Sequence, residues 1–150
     1  MKVGVATRDG RVTEIRYLPP SAPRVDARNA LAAEAKRQID AYRAHPDFSF
    51  DLPILVEGND FQKAVWRAMC AIPRGKTRTY GDIAGELNGQ ARVVGQACGD
   101  NRLPIVIPCH RVVAADGIGG FAHSTGGYLL EAKRWLLAHE CGAETFELTP

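Results

Sequence analysis

Apolar and polar residues alternate along Lys2 to Thr7 and again along Arg11 to Tyr17, the period of half-buried strands. Between them, Asp9-Gly10 carries the signature of a tight hairpin turn. Three prolines in "LPPSAPRVD" then end regular structure. From Asn29 to His45 the period becomes helical, with Leu31, Ala35, Ile39 and Tyr42 on one stripe. His45 precedes a proline at the helix end and suits a capping role better than catalysis. "DFSFDLPILVEG" reads as an extended connector. Residues 1–56 are thus expected to form a small lobe, a β-hairpin plus a helix, with no evident chemistry.

The second part of the chain, 57–150, is predicted to be mainly helical, so the fold class is α+β. Asn59 or Asp60 caps a helix whose apolar face is Phe61, Val65, Ala68, Met69 and Ile72, and Pro73 ends it. Thr79 and Asp82 have capping-box spacing before Ile83, Ala84 and Leu87, and Asn88-Gly89 stops that second helix. "QARVVGQACGDN" supplies a third, with Val94, Ala97 and Cys98 on one face. The last two, at about residues 80–100, resemble a helix-turn-helix with Arg92 pointing away from the apolar face. Two short amphipathic helices joined by Asn-Gly are also a common packing unit, and the pattern alone does not choose. "RLPIVIPCHRVV" is apolar and β-branched between Pro104 and Pro108 and reads as extended. "ADGIGGFAHSTGGY" has five glycines in fourteen residues, either a close-approach loop or a mobile connector. "LLEAKRWLLAHE" closes the pattern as a helix with Leu129, Ala132, Leu136 and Leu137 on its stripe.

A chain of 150 residues with 45% apolar residues can bury a core as one compact unit. No apolar run approaches the roughly 20 residues of a membrane helix, and "MKVGVATRDG" lacks the apolar centre of a secretory signal. The expected address is cytoplasmic and the expected state a monomer. Cys70, Cys98, Cys109 and Cys141 share no C-x-x-C spacing, so they are expected as thiols, with no metal and no cofactor. The net charge of +2 says little about partners. Its distribution says more, because Lys63, Arg67, Arg74, Lys76, Arg78, Arg92, Arg102 and Arg111 face only Asp82, Glu86 and Asp100 in the middle third. Such a surplus is what a phosphate-binding face needs, although many solvated faces carry as much.

One feature breaks the apolar pattern. Cys109, His110 and Arg111 stand in a row inside "IVIPCHRVV". Pro108 stiffens the backbone before the thiol, and a nearby base or cation would favour the thiolate. Neighbours on an extended chain face opposite ways, so a water between His110 and Cys109 would relieve the geometry. A buried core cysteine beside a structural histidine fits the local pattern equally well. Glu140, at the end of the last helix, could reach back to orient a histidine, or could be solvated.

Taken together, "RGKTRTYGDIA", "RVVGQACGDN", "PIVIPCHRVV" and "WLLAHE" resemble the O6-alkylguanine-DNA alkyltransferase family over residues 57 to 141. The resemblance implies that Cys109 accepts the alkyl group, His110 takes its proton through water, Glu140 orients the imidazole and Asn101 braces the turn beneath. It implies that Tyr80 crowds a phosphate and hydrogen-bonds the base, and that Arg92 fills the place vacated by a flipped nucleotide. Thr79, Gln90, Ala91 and Gly95 would join the DNA contact. Val112 and Pro104 would line the pocket with Ser124, within an active-site segment at 104–113 and a lid that reads "GGFAHSTGG". That lid departs from the family's usual short Tyr-Ser pair before Gly-Gly. The implied partner is duplex DNA carrying O6-alkylguanine, with O4-alkylthymine a further candidate, and each molecule would act once. The first lobe lacks the Cys/His set of relatives that bind zinc. Cysteine at position 109 argues against a lesion-binding module without an acceptor; a cysteine hydrolase would turn over repeatedly.

Overall fold

The computed structural model describes residues 1–120 and 127–142. Strands β1 (Lys2–Arg8) and β2 (Arg11–Leu18) form an antiparallel hairpin. Its turn uses positive φ at Asp9 and Gly10, 52° and 75°, which is what Asp-Gly supplies. Helix α1 (Ala30–Ala44) starts where the Asn29 side chain accepts from the Ala32 amide, and the His45 amide closes it on the Ala41 carbonyl. Ala35, Ile39 and Tyr42 are buried. The connector after α1 runs alongside β2, where Val12 N–H donates to the Pro53 carbonyl and Leu55 N–H to the Val12 carbonyl. Buried Gln38 ties it to α1 by exchanging hydrogen bonds with the Asp51 backbone.

Helix α2 (Asp60–Cys70) opens on a capping box between Asn59 and Gln62. A two-residue strand β3 (Arg78–Thr79) leads into α3 (Tyr80–Leu87), capped reciprocally by Thr79 and Asp82. Asn88 ends α3 in the left-handed region at φ 54°. Glycine at the next position permits a close approach, because a Cβ on Gly89 would lie 2.8 Å from the Phe61 ring of α2 and force it to shift. Helix α4 (Ala91–Gly99) follows, and the indole N–H of Trp66 on α2 donates to its Ala97 carbonyl at 2.9 Å. The expected helix-turn-helix is thus present and locked to α2.

The segment 102–113 is not the extended run its composition suggests. Residues 102–107 coil through turns, Cys109–Arg111 form one turn of 3-10 helix, and only β4 (Val112–Val113) is extended. Asn101 imposes the coil by donating to the Ile107 carbonyl and accepting from the Leu103 amide, both at 2.9 Å. Ile105 sits at φ 73°, where a β-branched side chain costs about 1–3 kcal/mol. Strand β4 pairs in parallel with β3, Arg78 with Val112 and Thr79 with Val113. This short ladder sets the start of α3 beside Cys109. Helix α5 (Gly127–Cys141) packs across the same turn.

A single hydrophobic cluster runs through both parts of the chain, from Val12, Ile15 and Tyr17 of the hairpin to Ile107, Val112 and Leu136. Among the described residues no helix is long and apolar enough to cross a membrane.

Candidate active site

Cys109 and His110 lie in the 3-10 turn, 6% and 0% exposed. Because that turn is coiled, both side chains are buried, and the opposed faces expected of a strand do not occur. Burial pushes the Cys109 thiol up to about 11, against opposing effects of the Asn101 hydrogen bond and the Lys133 charge. The resting sulfur is therefore protonated and needs a base. Burial likewise lowers His110 below the ordinary imidazole range, although Glu140 pulls the other way. Neutral imidazole is the form that can accept a proton at neutral pH.

The tautomer follows from the hydrogen bonds. Nε2 of His110 lies 2.8 Å from Oε1 of Glu140, so this nitrogen carries the proton and donates it. Nδ1 is left as the acceptor, buried and without a hydrogen-bond partner among the described residues. Glu140, whose side chain is 2% exposed, takes three further hydrogen bonds. Arg111 donates from Nε to Oε1 at 3.0 Å and from Nη2 to Oε2 at 2.7 Å, a bidentate pair. The Tyr42 hydroxyl donates to Oε2 at 3.0 Å. Burial alone would raise the Glu140 carboxyl, but hydrogen bonds and charges from His110 and Arg111 bring it down to about 2. Arg111 is itself fixed by donating Nη1 to the Ile72 carbonyl at 2.7 Å.

Tyr80, the first residue of α3, faces this turn. Its hydroxyl donates to the Gly120 carbonyl at 3.3 Å. Burial and the neighbouring thiols Cys98 and Cys109 push its phenol up to about 12, so it stays a donor. Gly119, at φ 74°, lets the backbone pass close by: a Cβ there would sit 3.1 Å from the Tyr80 ring.

The profile of the 6-O-methylguanine DNA methyltransferase DNA-binding domain matches residues 60–142. A methylated-DNA–protein-cysteine methyltransferase of Methanosarcina barkeri is 46% identical over 71% of this chain and 66% of its own length. The protein of that name from Mycolicibacterium paratuberculosis is 40% identical over 91% of this chain and 84% of its own. The crystal structure of Mycobacterium tuberculosis OGT in complex with DNA superposes with a TM-score of 0.73 at 33% identity, covering 91% of this chain and 84% of the other. The chain belongs to the 6-O-methylguanine DNA methyltransferase family.

The rest of this methyltransferase's implied site divides in two. Gln90, Ala91 and Arg92 are exposed at the start of α4, with the buried Val94, Ala97 and Cys98 behind them. Gly95 lies next to Tyr80, 4.0 Å from its ring if a Cβ is added, and Thr79 caps α3. Pro104 and Val112 are buried beside the turn, and the Val112 carbonyl accepts a hydrogen bond from Nζ of Lys133 at 2.8 Å. Ser124 lies outside the described residues.

Two residues that the pattern did not single out, Lys133 and Tyr42, complete the site, while Arg111, a candidate cation for the thiolate, is bonded to Glu140. Lys133 is fully buried on α5, also donates to the Gly120 carbonyl at 3.0 Å, and has Nζ 5.9 Å from the Tyr80 ring centroid. Its burial lowers the ammonium to about 8. The signal was available, because Lys133 is four residues from both Leu129 and Leu137 on the apolar stripe. Tyr42 carries no such signal, since its place on the apolar stripe of α1 predicts core packing alone.

Proposed function

We propose that this methyltransferase performs direct-reversal DNA repair, moving the alkyl group of O6-alkylguanine in duplex DNA onto Sγ of Cys109. The observation that carries the reading is a buried cysteine next to an imidazole whose tautomer is set by Glu140 so that Nδ1 is the free acceptor. Nδ1 of His110 takes the thiol proton through a bridging water. The thiolate attacks the alkyl carbon, the carbon–O6 bond breaks, and the electron pair leaves with the guanine. Tyr80 donates a hydrogen bond to the departing base, which lowers the cost of its charge. The product is a thioether on Cys109. It has no easy leaving path, so each molecule acts once.

O6 is buried in the base stack, and flipping the nucleotide out costs a few kcal/mol. Arg92, on the exposed first turn of α4, fills the vacated place and offsets part of that cost. Thr79, Gln90, Ala91 and Gly95 shape the surface around it, within a minor groove suited to sequence-independent search. Val112, Pro104 and Ser124 wall the pocket, and Asn101 holds the turn that presents the sulfur. The chain divides at residues 56 and 57 into a supporting lobe and the alkyltransferase unit. It acts as a monomer in the cytoplasm.

The test is a titration of duplex DNA containing O6-methylguanine with folded, reduced protein. Repair is expected to plateau at one lesion per protein. Repeated turnover would instead support a hydrolase, and tight binding without loss of the methyl group a lesion-binding module.

A further inference from the structure

The Glu140 carboxylate has room for about four hydrogen bonds, and the fourth donor comes from an unexpected place. His110, Arg111 and Glu140 all belong to the part of the chain matched by the family profile, 60–142. Tyr42 does not; it sits on α1, 98 residues before Glu140. Its ring is 3% exposed and confined on two sides, by Phe50 at 5.5 Å and edge-on by His139 at 5.2 Å. His139 stacks on Trp135 at 4.5 Å, and its Nε2 lies 2.6 Å from the Tyr42 carbonyl. Both ring and backbone of Tyr42 are thereby clamped to α5 at His139, the residue before Glu140.

We infer that Tyr42 is a positioning residue of the alkyl transfer: the first lobe reaches into the site and completes the donor set that orients Glu140 against His110. The inference rests on the reading of Cys109 as acceptor and His110 as its base. Oε1 already serves His110 and Arg111, and Oε2 serves Arg111 and Tyr42. Without the hydroxyl, Oε2 keeps one donor, and the carboxylate becomes a stronger acceptor toward Nε2–H of His110. A stronger acceptor stabilises the imidazolium. His110 then holds a second proton to higher pH, and Nδ1 is blocked over a wider acid range. The other charged or titratable groups facing this cluster are Arg111 on the turn, Lys133 and His139 on α5, Arg74 after α2, Cys70 on α2, Tyr17 on β2 and Cys109. Tyr42→Phe leaves each of them in place.

The test compares the pH dependence of the transfer rate for the full chain and for Tyr42→Phe, which keeps the ring and its packing. The acid limb is expected to move up by about half to one pH unit, the size of one neutral hydrogen bond. Near the wild-type midpoint of that limb the rate falls about two- to fivefold, with a smaller change on the plateau. Phe50→Leu loosens the packing but keeps the hydroxyl, and its limb should stay with the wild type. A Tyr42→Phe limb that superposes on the wild type, a uniform loss at every pH, or an equal shift in Phe50→Leu would overturn the inference. The His110 ring titration followed by NMR in DNA-free protein should move in the same direction. That readout needs no transfer, so an inert wild type would defeat the acceptor reading, while an unmoved His110 would defeat this one.

Discussion

Behind Cys109, every polar atom of the Glu140 carboxylate is engaged: Arg111 and His110 bind one oxygen, Arg111 and Tyr42 the other. In front of it, the first turn of α4 leaves Gln90, Ala91, Arg92 and Val93 exposed, and Gln90 makes no side-chain cap. One side is finished by the fold; the other is left open to a partner. The contrast matches what the proposed reaction asks of each side. A base needs a fixed tautomer before substrate arrives, and a fixed carboxylate supplies it without reorganisation. A surface that displaces a nucleotide must keep donors and a long flexible side chain free until DNA is present. Changes behind the sulfur should therefore alter stability and chemistry together, while changes in front should alter the reaction with duplex alone.

Glu140→Gln is expected to have the largest effect. It removes the charge from a buried cluster and leaves Arg111 uncompensated, a loss of about 3–5 kcal/mol. Thermal unfolding should show it, and transfer should fall by about a hundredfold. The pH dependence sharpens this. The Glu140 carboxyl is held at about 2 when folded, below its ordinary 4.5. Its contribution is therefore full above 4.5 and lost as pH falls toward 2. Denaturant titrations across that window should show a shallower acid loss in Glu140→Gln than in wild type. An unchanged slope would place the stabilising charge elsewhere.

Arg92→Ala comes next and tests the open side. Repair of duplex should slow about tenfold or more, since every 1.4 kcal/mol of lost offset to flipping is tenfold in rate. Reaction with the free alkylated base and the melting temperature should hardly change. Equal losses on duplex and free base would reject the flipping role.

Asn59→Ala is the smallest. It removes the α2 capping box, remote from both sides, and should cost about 1 kcal/mol. The melting temperature should drop by about 2–4 °C with the transfer rate unaltered.

What could be read without coordinates follows the range of the interactions involved. The Asp9-Gly10 turn and the caps at Asn59 and Thr79 are local hydrogen-bonding devices, and the structure contains each of them. The burial of Cys98 behind Arg92 also follows from helical period alone. The segment 102–107 misleads because its β-branched composition suits a strand, whereas the coil depends on two bonds from Asn101 and a left-handed Ile105. Strands β3 and β4 are two residues each, too short for any periodicity to register. Tyr42 looked like core packing, and its ring is packed. Its hydroxyl still needs a partner when buried, and that partner lies 98 residues away.

The most direct measurement is a peptide map of the protein after incubation with duplex DNA carrying O6-methylguanine. Cys98 is an internal control: it is a buried thiol pushed up mainly by burial, without a histidine beside it in the chain. One methyl group per protein is expected, on the peptide containing Cys109, with Cys98 unmodified. Methylation spread over both cysteines, or an unmodified Cys109 with the lesion intact, would contradict the proposed transfer.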